Sequence, residues 1–256
     1  MSVSSARAPA RAPQPAPARG AGPARPPALS LVVAGGCLAP VAFLIGWSLA
    51  PAGLWITLAV YTPGLALAAR SMARDYPHAQ LGGANLVTTL RLAFCAAMAA
   101  AMAAPGGPAA QAGWPAWGPT LLALLALSLD GIDGWLARRQ ALSSQFGARY
   151  DMEVDSALAA VLAALLVARG TAGPEMLVLG GARYAFVAAA QLLPWLGAPL
   201  PESLRRKTVC VVQIAALVAL TAPILPVAAD RPIAIGAALL VAWSFAVDIR
   251  WLVRRG

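Results

Sequence analysis

Charge is scarce in this sequence. Only 11% of its 256 residues are charged, and only 10 are acidic. A soluble domain carries about a quarter of its residues as Asp, Glu, Lys and Arg, so a soluble globular protein is excluded. Histidine occurs once, as His78. That excludes a His-rich metal site, and any catalytic triad would have to be built around this one residue. His78 reads as a solvated loop residue. The 3 cysteines, Cys37, Cys95 and Cys210, each lie in an apolar segment without metal-ligand spacing. They form no disulfide framework and read as small buried hydrophobes. The net charge of +9 fits cytoplasmic loops and anionic lipid headgroups better than nucleic acid, so no nucleic-acid partner is expected.

Apolar residues are abundant, at 60% of the chain. A bilayer is crossed by about 20 apolar residues in a helix, and several stretches reach that length. The chain therefore reads as an all-α polytopic membrane protein with no soluble domain of appreciable size. Residues 1–28 are rich in Pro, Ala and Arg without hydrophobic periodicity, and a disordered tail is expected there. Two spans follow, Leu29–Leu49 and Gly53–Ala69, and a polar connector completes the 29–80 region. Six more are predicted in residues 81–256: Asn85–Ala104, Trp117–Ala137, Asp151–Ala168, Met176–Trp195, Thr208–Ala228 and Pro232–Val253. Residues 105–116, PGGPAAQAGWPA, read as a turn-rich loop. With a cytoplasmic amino terminus, every one of the 19 Lys and Arg except Arg91, Arg169, Arg183 and Arg231 falls in a cytoplasmic segment, as the positive-inside rule asks. Trp47, Trp55, Trp114, Trp117, Trp135, Trp195 and Trp251 fall near predicted span ends like an aromatic belt, whereas Trp243 does not.

Four of the few carboxylates crowd into residues 130–155, DGIDGWLARRQALSSQFGARYDMEVD. Asp130 and Asp133 close one apolar run, and Asp155 opens the next. Helical spacing puts Asp130 and Asp133 on one face by i,i+3, and Asp151 and Asp155 on another by i,i+4. On neighbouring antiparallel helices the two pairs would gather up to four negative charges. Such a cluster repels itself without cations, so it reads as a divalent-metal site. All-oxygen ligands favour Mg²⁺, Mn²⁺ or Ca²⁺ over zinc. Asn85, Thr88 and Arg91 follow i,i+3,i+6 and share a broad helix face. Arg91 is then a structural counter-ion or a phosphate ligand, and Arg183 faces the same choice. Glu153 points to a different face and reads as a solvated or paired surface charge.

The pattern Asp130-x2-Asp133-Gly134-x2-Ala137-Arg138-x8-Gly147-x3-Asp151-x3-Asp155 resembles the signature of the CDP-alcohol phosphotransferases at every signature position. Asn85-x2-Thr88-x2-Arg91 resembles the family's first core helix, and the resemblance extends over residues 82–256. It implies a six-helix core, here with two extra N-terminal transmembrane helices, eight spans in all. It implies an enzyme of phospholipid synthesis in which a CDP-linked lipid donor, foremost CDP-diacylglycerol, and a small polar alcohol acceptor give a phosphodiester and CMP. By resemblance, Asp130, Asp133, Asp151 and Asp155 hold one or two Mg²⁺ or Mn²⁺ ions at the donor diphosphate, and Asp155 is the general base. Gly134, Ala137, Arg138 and Gly147 would receive the nucleotide and its phosphates, with Asn85, Thr88 and Arg91 as further donor-binding candidates. Arg183, Arg205, Arg206 and Lys207 are candidates for an acceptor phosphate; the plainer account of Arg205-Arg206-Lys207 is a positive-inside loop. Lys207-Thr208 resembles a Lys-Thr-x-x-Gln motif of glycerophosphate-using members, but Val211 stands at the glutamine position and Gln213 comes two residues later. A bacterial inner membrane, contact with membrane lipids, a cytoplasmic site with both termini cytoplasmic, and a possible homodimer complete the expectation.

The competing reading is a cation- or proton-coupled transporter built on intramembrane aspartates. Transporter sites lie near the bilayer midplane on broken helices, whereas these aspartates fall at span ends. Topology can be tested directly. In a background without the native cysteines, Ser143→Cys should be labelled from the cytoplasmic side and Ala110→Cys from the opposite side. The reverse pattern would remove the access route for a cytoplasmic nucleotide lipid.

Overall fold

The computed structural model describes residues 26–104 and 112–254. Among them are eight α-helices and no strand: α1 (Pro27–Leu49), α2 (Leu54–Asp75), α3 (Gly83–Ala99), α4 (Trp114–Arg139), α5 (Gln145–Ala168), α6 (Glu175–Leu192), α7 (Leu204–Thr221) and α8 (Val227–Val253). The expectation of a disordered tail falls mostly outside the described residues, as does most of the expected 105–116 loop. The eight predicted spans correspond to eight helices, but their ends differ. α5 begins six residues before Asp151 because the Ser144 hydroxyl accepts the Gly147 amide at 3.0 Å and caps the helix. α2 runs on to Asp75. α7 starts four residues before Thr208 and stops at Thr221, where extended Ala222 precedes Pro223.

Five of the helices are long and apolar enough to cross a bilayer: α1, α2, α3, α4 and α8. The other three expected spans fall short for visible reasons. α5 carries Asp151, Glu153 and Asp155, and α7 opens with Arg205, Arg206 and Lys207. α6 has only 18 residues and includes Glu175 and Arg183. Charges placed for a site dilute the hydropathy that marks a span.

α3 is the most buried helix and packs against α1, α2, α4 and α5. Small residues make this possible: Ala93, Ala96, Ala97 and Ala99 are buried along it, and Ala100 just past its end. The α1–α2 pair lies directly on α3, with α1 also touching α4 and α2 touching α5. Gly53, in the connection between the pair, permits this approach, since a Cβ there would lie 2.1 Å from the Ala100 carbonyl oxygen. The Tyr61 hydroxyl donates to the Gly35 carbonyl at 2.7 Å and ties α2 to α1. On the other flank, α6 packs on α5 and α8, and α7 on α8, α5 and α4.

The outer surface is apolar, with Leu44, Trp55, Leu67, Leu177, Leu192 and Leu239 all exposed, as lipid contact allows. Cys95 is buried, but Cys37 and Cys210 are exposed, against expectation. In a membrane protein both the core and the lipid face are apolar, so apolar neighbours do not separate the two. His78 is half-buried rather than freely solvated, with Nε2 3.3 Å from the Ser143 carbonyl oxygen.

Candidate active site

Three helices bring the signature together. α4 carries Asp130, Gly134 and Arg138 at i,i+4,i+8, a single stripe, with Asp133 beside it. The early start of α5 places Gly147, Asp151 and Asp155 on a matching stripe. α3 supplies Arg91, which is fully buried at 0% exposure. Its Nη1 lies 3.0 Å from Asp130 Oδ1 and 3.0 Å from Asp133 Oδ2, and it donates to Asp151 as well. Nη2 donates to Asp155. One guanidinium thus meets all four signature aspartates. In their ionised forms the four carboxylates against one guanidinium leave three negative charges uncompensated.

The donor set fits a hard divalent cation. Asp130, Asp151 and Asp155, all half-buried, each offer a carboxylate oxygen, and the three atoms lie within 4.8 Å of one another. All-carboxylate oxygen donors of this kind suit Mg²⁺ or Mn²⁺. Asp133 is set apart from this group. It is buried, accepting from Thr88 Oγ1 at 3.3 Å as well as from Arg91. Asn85 is buried one turn before Thr88 and Thr89 on α3, and its Oδ1 would lie 3.6 Å from a Cβ on Gly147. The predicted Asn85–Thr88–Arg91 face therefore looks onto both aspartate helices. Arg91 is ion-paired here with all four aspartates.

The glycines differ. A Cβ on Gly147 would meet Ser144 Oγ at 3.3 Å, whereas one on Gly134 would meet nothing closer than Arg138 Nη1 at 3.5 Å. Gly134 is half-buried beside open space, with exposed Arg138 folded back toward it and half-buried Ala137 one turn on.

Beside the cluster lies a pocket of about 510 Å³ between α5, α6, α7 and α8. Asp155 lines it, and of the four signature aspartates it alone does so. Arg183, Arg206, Lys207 and Gln213 also line it, among apolar side chains such as Phe186 and Phe245. Arg183 pairs with Glu153 at 2.5 Å, so Glu153 is a paired charge. Arg206 lies 3.3 Å from Asp248. Arg205 does not line the pocket itself; it is held against α8, donating to the Ser244 carbonyl at 2.6 Å and to Asp248 at 2.5 Å, residues that do line it. Gln213, out of register with the glycerophosphate motif, donates to the Leu179 carbonyl. Asp248 was not foreseen, and its spacing from Arg205 and Arg206 across two helices left no local signal.

A family model described as CDP-alcohol phosphatidyltransferase matches residues 81–247, well over half of the chain. No curated protein and no solved structure matches it.

Arg91 can be tested without an activity assay. Removing one partner of a buried charge cluster costs about 3–5 kcal/mol. Arg91→Met should therefore lower the thermal midpoint strongly in chelator. Added Mg²⁺ should recover part of the loss by taking up the carboxylate charge, and Arg91→Lys should fall in between. An unchanged midpoint for Arg91→Met would remove the counter-ion role.

Proposed function

The chain belongs to the CDP-alcohol phosphatidyltransferase family, and on that premise we propose that it moves a phosphatidyl group from CDP-diacylglycerol to a small polar alcohol that itself carries a phosphate. CMP is the second product. The reaction belongs to phospholipid synthesis at the cytoplasmic face of a bacterial inner membrane. The observation that carries this reading is Asp155, which belongs to the carboxylate cluster and also lines the basic pocket beside it. A group so placed stands between a donor held at the cluster and an acceptor held in the pocket. The transporter reading finds no support, since the family is one of transferases. Nothing in the single chain argues for a homodimer.

In this reading Asp130, Asp151 and Asp155 hold the divalent ions, and the family resemblance adds Asp133. Bound ions would neutralise the donor diphosphate and the charge that develops on the departing CMP. Gly134 and Gly147 leave room for the nucleotide and its phosphates, with Arg138 as their cation. Lys207, Arg206 and Arg183 draw the acceptor phosphate into the pocket. Asp155 takes the proton from the acceptor hydroxyl as that oxygen bonds to the β-phosphorus. The bond from the β-phosphorus to the bridging oxygen breaks, and CMP carries that oxygen away. A base so placed contributes about 10²–10⁴-fold.

Chelation should abolish CMP release, and Mg²⁺ or Mn²⁺ should restore it. Asp155→Asn should lower turnover about 10²-fold or more while donor affinity changes less than in Asp130→Asn. Donor titration and single-turnover rates at fixed Mg²⁺ separate the two. Near-normal turnover in Asp155→Asn would mean that another group is the base.

Gly134→Ala offers a cleaner probe of the donor site. The added methyl makes only an ordinary contact with Arg138 Nη1 at 3.5 Å in the free protein, and alanine favours the helix by up to about 1 kcal/mol over glycine. The variant should fold normally yet show a donor KM raised about tenfold, about 1.4 kcal/mol of lost binding. An unchanged KM would place the nucleotide elsewhere.

A further inference from the structure

The segment joining α2 to α3 lies largely ahead of the residues the family model matches. It is nonetheless fastened to the short turn between the two aspartate helices. His78 Nε2 lies 3.3 Å from the carbonyl oxygen of Ser143, the neighbour of the α5 cap. The Gly83 amide donates to Gln140 Oε1 at 2.8 Å, just past the end of α4. A Cβ on Gly82 would lie 3.3 Å from the Leu142 side chain, which packs against the segment there. The Asp75–Arg149 pair, at 3.3 Å, joins largely exposed side chains and counts for little.

A line of rings makes the stronger connection. Tyr76 meets Phe146 edge-on with centroids 5.6 Å apart, and Phe146 lies 5.7 Å from Tyr150. The Tyr150 hydroxyl donates to Thr89 Oγ1 at 3.2 Å. Phe146 precedes Gly147, Tyr150 precedes Asp151, and Thr89 lies two residues before Arg91. The Tyr76 hydroxyl donates to the Gln80 carbonyl at 3.1 Å and holds the segment in its bend. The clamped turn does not hold its own shape cheaply. Ala141 within it has φ 53°, a left-handed conformation that a residue with a Cβ disfavours.

We propose that Tyr76 and His78 are positioning residues for the transfer. The segment Asp75–Gly83 clamps the α4–α5 turn and sets the position at which α5 presents Gly147, Asp151 and Asp155 to Asp130 on α4. The proposal rests on the reading of the site above. Its physical basis is that α4 and α5 each pack on α3 rather than on one another, so the turn is the direct link between them. A misplacement of about 1 Å at a reacting centre costs about 10²-fold in rate.

The test uses the full chain, purified, as wild type, Tyr76→Ala, Tyr76→Phe and His78→Ala. Amide exchange read by mass spectrometry does not depend on the reaction. In Tyr76→Ala it should quicken over residues 142–152 while α6, α7 and α8 stay as in wild type. In the CMP-release assay, the Mg²⁺ concentration for half-maximal rate and the donor KM should both rise about tenfold or more in Tyr76→Ala. They should rise less in His78→Ala, and Tyr76→Phe, which keeps the ring contact but loses the hydroxyl's bond to Gln80, should fall between wild type and Tyr76→Ala. Exchange that stays unchanged, or spreads evenly over all helices, overturns the clamp. Faster exchange with unchanged half-saturation values overturns the positioning role. A wild type that releases no CMP from CDP-linked donors defeats the functional reading instead, and exchange alone then decides the clamp.

Discussion

The site depends on one buried guanidinium. Arg91 stands on the most buried helix and meets four carboxylates drawn from two others. Where dielectric is low, like charges at this distance exclude one another unless a cation lies among them. The rest of the architecture serves that condition. Alanines along α3 let α4 and α5 come close, and the α1–α2 pair packs on α3 as well. Thr88 fixes Asp133 against the same helix. The negative charge that Arg91 leaves uncompensated is what fits the cluster to divalent ions.

From this cluster the molecule divides its labour by helix. α3, α4 and α5 gather the carboxylates, while α6, α7 and α8 form the pocket wall with α5. Asp155 belongs to both. The basic triplet at the start of α7 is likewise divided. Arg205 is bound into α8 through Ser244 and Asp248, Arg206 shares Asp248 while lining the pocket, and Lys207 lines it. A run that reads in sequence as one patch of charge serves both to brace helices and to supply cations. The α2–α3 segment adds a third component, one that acts on the turn and touches no reacting group.

Much of this was legible in the chain. The signature spacing named the four aspartates, and helical periodicity put Asn85, Thr88 and Arg91 on one face. What was missed follows a pattern. The start of α5 was placed too late because residues 145–150, QFGARY, dilute the hydropathy, although Ser144 is a recognisable cap. α5, α6 and α7 also read as spans, and their charges set them apart from the five strongly apolar helices. Arg205, Arg206 and Lys207 read as one basic run, and adjacency in sequence does not say which partner each side chain takes.

The sequence by itself determined the class of protein, the carboxylate set and the family chemistry, because those depend on composition and on spacings within single helices. Only the tertiary structure decided that one arginine meets all four aspartates, that Asp155 reaches the pocket and that Arg205 is bound to Ser244 and Asp248. The partners of Arg91 are 39 to 64 positions away in the chain. Tyr76 likewise meets Phe146 across helices with no common periodicity. Which side chains meet across such distances is set by how helices pack against α3, and no local pattern of residues records it.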